Sequence, residues 1–202
     1  MYDWHTIVGT GAAIIMTALV VPYVRGVLRE DTRPNPVSWF GWALLYAIAA
    51  AAQASKGLDW SLTIPVIGAF SASTVAVIAL RAGKALWTPV DRFCIAVAIL
   101  AIILWAITKE PLTALVLSII ADIAISIPTL YKTYLDPFSE PWLLWIIYVT
   151  TVVLEIIATT ELTIYNLLVP LYSLGVDALI TLFAFRQFIP TISQAHKKSL
   201  SD

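Results

Sequence analysis

Pro22-Tyr-Val-Arg-Gly-Val-Leu-Arg29, followed by Thr32-Arg-Pro-Asn-Pro-Val-Ser-Trp-Phe-Gly-Trp42, has an echo in the second half of the chain. There Pro128-Thr-Leu-Tyr-Lys-Thr-Tyr134 is followed by Asp136-Pro-Phe-Ser-Glu-Pro-Trp-Leu-Leu-Trp145. Both stretches run from a proline near the end of an apolar segment, through a short basic turn and a serine, into a Trp-rich segment. Pro22 and Pro128 are 106 residues apart, and Pro36/Pro141, Pro65/Pro170 and Arg81/Arg186 are each 105 apart. Four landmarks in one register mark an internal duplication, which fixes architecture before any motif does.

The rest of the chain shows what is duplicated. Of 202 residues, 60% are hydrophobic and 12% charged, against roughly a quarter charged in an ordinary soluble domain. A soluble globular protein is excluded. A bilayer core of about 30 Å takes ~20 apolar residues per helix, and charges with Pro/Gly clusters divide the chain into seven such runs. They cover residues 5 to 25, 36 to 55, 60 to 81, 89 to 108, 111 to 131, 141 to 160 and 162 to 186. The start lacks a basic n-region, so the first run reads as a retained helix. The expected fold is therefore all-α and integral to the membrane, with seven transmembrane helices. Residues 1–82 form a first three-helix repeat, 83–110 a linker helix with its flanking loops, 111–187 a second repeat, and 188–202 a cytoplasmic tail. The odd linker makes the two bundles parallel, related by an axis along the membrane normal.

Orientation follows from the basic residues. Arg25, Arg29, Arg33, Arg81, Lys84, Arg92, Lys132, Arg186, Lys197 and Lys198 fall on one side, and only Lys56 and Lys109 on the other. The N-terminus is expected outside and the C-terminus in the cytoplasm, in a plasma membrane of the bacterial type. The net charge of −1, without a basic run, gives no support for nucleic-acid binding. A single cysteine and two histidines at opposite ends offer no metal cluster.

Proline, basic turn, serine and Trp-rich entry resemble the PQ-loop superfamily, which includes the SWEET sugar transporters and the lysosomal amino-acid exporters. The resemblance covers nearly the whole chain through topology and duplication, although Tyr23 and Thr129 stand where the naming glutamine would be. It implies a carrier whose two bundles rock around a central site, with Pro22, Pro36, Pro128 and Pro141 as cytoplasmic-side hinges. An interior proline deletes a helical hydrogen bond and leaves a bendable kink. For Pro36 and Pro141 the competing reading is an ordinary first-turn proline.

Asp122, Glu155 and Asp177 fall inside apolar spans, where an acid costs on the order of 2.5 to 3.5 kcal/mol on insertion scales. No Lys or Arg lies at similar depth in the sequence, so each acid must be protonated, hydrated or paired with a transient cation. Ser118, Asp122 and Ser126 share one helix face. So do Asn166, Pro170, Ser173, Asp177 and Thr181, and nearly so Tyr148, Thr151, Glu155 and Thr159. These stripes are expected to line one aqueous pathway; the alternative is hydrogen-bonded glue between helices. Trp42, Tyr46, Trp145 and Tyr148 are deep enough to stack on a planar or ring-shaped ligand, or else belong to the interfacial aromatic belt with Trp39 and Trp142.

The expected function is alternating-access transport of a small solute, proton-coupled or cation-selective, the substrate being amino-acid-like or another small polar metabolite. Carriage of sugar by a SWEET-like uniporter is a second reading. Against it, Val66 and Leu171 stand where the sugar-carrying members resemble one another in having an asparagine after the proline. A nicotinamide riboside-type vitamin transporter, with a similar layout and Trp pairs like Trp142 and Trp145, is a third, and a seven-helix receptor or sensor that does not transport a fourth. A retinal protein is set aside because the last helix has no lysine at its middle. No nucleophile triad or phosphate-binding glycine loop is present, so neither an enzyme nor a cofactor is expected. The expected partners are a small-molecule substrate, the lipid bilayer and a proton or cation. One chain suffices for a pathway, and homo-oligomerisation stays compatible with it.

Overall fold

The computed structural model describes residues 4–54, 63–81, 88–107, 111–160 and 162–190, which are helical and contain no strand. Lys56, Lys84, Lys109, Trp60, Trp87, His196, Lys197 and Lys198 lie outside the described residues, as do the side chains of Asn166 and Trp105. The helices are α1 (Trp4–Ala18), α2 (Val20–Leu28), α3 (Pro36–Ala54), α4 (Thr63–Arg81), α5 (Pro89–Ile107), α6 (Pro111–Leu135), α7 (Trp142–Ala158) and α8 (Ile164–Phe185). Short 3-10 turns at Pro137–Ser139 and Arg186–Phe188 follow α6 and α8.

The sequence explains most of these boundaries. α3, α5 and α6 each begin on a proline, where the missing N–H has no intrahelical partner to lose. The Asn35 carboxamide caps α3, its Oδ1 accepting from the backbone N–H of Val37 at 2.8 Å. Thr88 and Asp91 form a reciprocal box at the start of α5: Thr88 N–H donates to the Asp91 carboxylate at 2.8 Å and Asp91 N–H to the Thr88 hydroxyl at 3.1 Å. The first run, expected as one helix, is divided at Leu19. Ala18 is four residues before Pro22, so its carbonyl is the acceptor that a proline cannot serve. Helical bonding continues on both sides, from Leu19 N–H to Ile15 O and from Tyr23 N–H to Leu19 O, each 3.1 Å. Pro128, by contrast, lies inside an uninterrupted α6.

Three helical stretches are long and apolar enough to cross a membrane: Trp4–Leu28, Val116–Leu135 and Leu167–Phe188. Pro36–Ile48, Val66–Arg81 and Trp142–Ala158 are shorter apolar helices. The outer surface is oily: Phe70, Leu162, Ile107, Phe93 and Leu28 are all about 70% exposed. Ser38, Ser126, Thr129, Thr133, Ser139 and Glu140 are buried. A monomer in water rarely exposes so much contiguous apolar surface, and this reversed distribution points to a membrane location.

Packing follows a paired pattern. α3 packs on α4 and α7 on α8, while α1 packs on α7 and α3 on α6. The opening helix of each expected triplet thus lies against the second helix of the other. α5 packs chiefly against α6. Two close approaches between helices require glycine. A Cβ on Gly41 would lie 2.5 Å from Ile125 Cγ2, and one on Gly68 would lie 2.8 Å from the Tyr46 ring.

Candidate functional site

Two polar constellations lie at different levels along α6 (Pro111–Leu135), a shallower one near its C-terminal end and a deeper one around Asp122. The shallower joins α2, the loop before α3, the end of α6 and the start of α7. Glu140 is fully buried beside the 3-10 turn that Asp136 initiates by accepting from Phe138 N–H at 3.1 Å. The Tyr23 hydroxyl donates to Oε2 and Oε1 of Glu140 at 2.8 and 3.1 Å, and the Trp145 indole N–H donates to Oε2 at 2.9 Å. Lys132 pairs with the same carboxylate and also donates to the Arg33 carbonyl. Arg33 pairs with Asp136, and its backbone N–H donates to Ser139 O at 2.9 Å. Every donor of the carboxylate is a side chain far from the carboxylate in sequence or one helix away, so Glu140 holds four chain segments at one point. The position 105 residues earlier is Asn35, whose amide donates to Asp91 at 3.0 Å; the equivalent site in the first half therefore ties to α5.

The deeper constellation lies between α3, α6, α7 and α8. The Trp42 indole N–H donates to Asp122 Oδ1 at 2.9 Å. The hydroxyls of Ser126 and Tyr172 face Asp122 and each other, yet neither completes a hydrogen bond among the described residues. Ser126 is only 1% exposed, so its hydroxyl is cut off from solvent as well as unpartnered. Asp177 lies close enough to Asp122 for the two carboxylates to interact electrostatically. Tyr46 is within electrostatic reach of Asp122, Asp177, Glu155 and Tyr148, and Tyr148 of Asp177. The rings of Trp42 and Trp145 have centroids 6.4 Å apart, and Trp145 and Tyr148 5.5 Å. No ion pair among the described residues reaches Asp122, Glu155 or Asp177.

The polar stripes anticipated along the helices are thus placed unevenly. Trp42, Tyr46, Asp122, Ser126, Tyr148 and Asp177 come together. Trp145 turns its indole N–H to the shallower site while its ring borders the deeper one. Glu155 is exposed further along α7, and Ser173 is half-buried on α8. Thr151, Thr159 and Thr181 donate to the carbonyls of Tyr148, Glu155 and Asp177, the self-satisfying bond common to hydroxyls in apolar helices. Trp142 packs edge-on against Phe185 and Phe188, away from both sites. Pro36 opens α3, and Pro141 precedes α7 in an extended conformation, so neither deletes an interior helical bond. Tyr172 and Glu140 were not anticipated. For Glu140 the available signal is an acid directly before Pro141, in register with the capping Asn35.

Compared with family models, curated proteins and solved structures, the chain matches none.

Proposed function

We propose that the chain is a seven-crossing small-solute carrier of PQ-loop type, with two parallel three-helix bundles, α5 as linker and the N-terminus outside. It works by alternating access. The observation that carries this reading is the pair Asp122 and Asp177, set between four helices among hydroxyls that complete no hydrogen bond, with no ion pair to either acid among the described residues. Asp122 lies ten residues before Lys132, or about 15 Å along α6, close to half the thickness of a bilayer core. Polar groups at that depth are costly unless something that comes and goes satisfies them.

The shallower constellation then acts as a closure at the cytoplasmic end. Tyr23 and Arg33 belong to the first triplet, and Lys132, Asp136, Ser139 and Glu140 to the second. Opening that end parts the Tyr23–Glu140 and Arg33–Asp136 bonds. The break at Leu19, one turn before Tyr23, gives α2 a joint about which to move. Pro22→Ala restores the missing hydrogen bond, and Pro128→Ala does so in α6. Both variants are expected to fold and to transport more slowly; uptake at the wild-type rate in both removes the hinge role. Against the sugar reading, Val66 and Leu171 are apolar and about half exposed, so they offer no hydroxyl partner.

The test is uptake into proteoliposomes of amino acids, amines, sugars and nicotinamide riboside at two pH values, with an internal pH dye. Saturable uptake that moves protons or is driven by a cation gradient is the expected result. Binding without movement would turn the reading toward a receptor. Asp177→Asn should flatten the pH profile of uptake; a wild-type profile would move proton coupling to Asp122 or Glu155.

A further inference from the structure

From the deeper constellation we infer that its ligand is a small organic ammonium ion without a carboxylate, such as a quaternary or primary amine. This rests on the carrier reading for movement but not for binding. The charge argument comes first. Asp122 and Asp177 lie within electrostatic reach of one another between the helices, and no lysine or arginine pairs with either among the described residues. A neutral solute leaves that charge uncompensated; a cation neutralises it on arrival.

The walls decide which cation. Trp42, Tyr46, Tyr148 and Tyr172 lie near the acids, with the Trp145 ring beside Trp42 and Tyr148, and aromatic faces attract organic ammonium groups by about 2 kcal/mol when both are out of water. Among the described residues no third His, Cys, Asp or Glu joins the pair to hold a metal ion; beside the two carboxylates the site carries the Ser126 and Tyr172 hydroxyls. Those hydroxyls are a second, separate indication of a ligand. The Ser126 hydroxyl is buried, borders Asp122 and completes no hydrogen bond among the described residues, leaving it and the Tyr172 hydroxyl to accept from an ammonium N–H or to bond a ligand hydroxyl. Amino acids are disfavoured by the same inventory. Their carboxylate needs a positive or N–H-rich partner, and among the described residues of the site the indole N–H of Trp42 is already given to Asp122. A zwitterion would place its negative end against Asp122 and Asp177.

The experiment measures binding to the full chain in detergent by calorimetry, and uptake by the same preparation in liposomes. Its probes are choline, the neutral isostere of choline in which carbon replaces the quaternary nitrogen, ethanolamine, and serine, which is ethanolamine bearing a carboxylate. Choline or ethanolamine should bind, with the isostere and serine weaker by at least about 30-fold, the equivalent of losing one buried charge pair. Asp177→Asn should weaken ammonium binding by a similar factor, and Trp42→Leu by about tenfold, with Trp42→Phe retaining most of it. The comparison of choline with its isostere needs no variant, so misfolding cannot obscure it. Serine binding as tightly as ethanolamine, or no binding of either ammonium probe, overturns the inference. Ammonium binding without uptake upholds it and overturns the carrier reading. Uptake of neutral solutes without ammonium binding does the reverse.

Discussion

Glu140→Ala is expected to lower the stability of the protein by about 3 to 5 kcal/mol, the scale for removing one partner of a buried ion pair. The loss comes less from the attraction forfeited than from what stays behind. Lys132, the Tyr23 hydroxyl and the Trp145 indole N–H all direct donors at this carboxylate, and with alanine in its place each loses its acceptor. An SDS titration following helix content should show an earlier midpoint. Glu140→Gln, which can still accept two of the neutral donors, should lose less. The double replacement of Glu140 by leucine and Lys132 by methionine should recover part of the loss, because no charge then remains buried. A Glu140→Ala midpoint equal to wild type would show that the shallower constellation bears no load.

The second large effect is expected at Gly41. Alanine there puts a carbon 2.5 Å from Ile125 Cγ2 and 2.7 Å from Ile125 Cβ. The second distance matters more, because Cβ is fixed to the α6 backbone and cannot swing aside. α3 and α6 must separate, and overpacking of this kind costs roughly 1 to 3 kcal/mol. The consequence reaches further than stability. Trp42 is the next residue on α3, and its 2.9 Å bond to Asp122 spans the same interface. Gly41→Ala should therefore impair ligand binding as well as folding. Combining it with Ile125→Ala should restore both in part; a single variant with full binding would mean that the indole adjusts without the helices moving.

The fold was largely legible where local chemistry sets it. Pro36, Pro89 and Pro111 begin helices in the sequence reading and in the structure alike, because what a proline forbids depends on its own ring. α6 runs on to Leu135, beyond the expected end at residue 131. Lys132 read as part of a short basic turn, but a lysine whose charge is met by Glu140 has no reason to end a helix. The candidate site was legible in part for the same reason. Acids in apolar runs and stripes at helical spacing can be read from one segment. Tyr23 and Glu140 are 117 residues apart, and no periodicity announces a partner at that distance. Glu155 shows the converse error of emphasis: it shares a face with the buried Tyr148 and Thr151, yet it is exposed near the end of α7.

The crossed packing of the two halves bears on how the chain is made. His5 on α1 meets the carbonyl of Ala158 at the end of α7, 153 residues later, and Gly9 lies against the same residue. When α1 leaves the ribosome, the surface it will occupy has yet to be synthesised. Lipid, or the insertion machinery, must keep that face company until most of the protein exists. Chains truncated after α4 should accordingly insert but remain open to proteases along α1, and coexpressing the missing part should close that window.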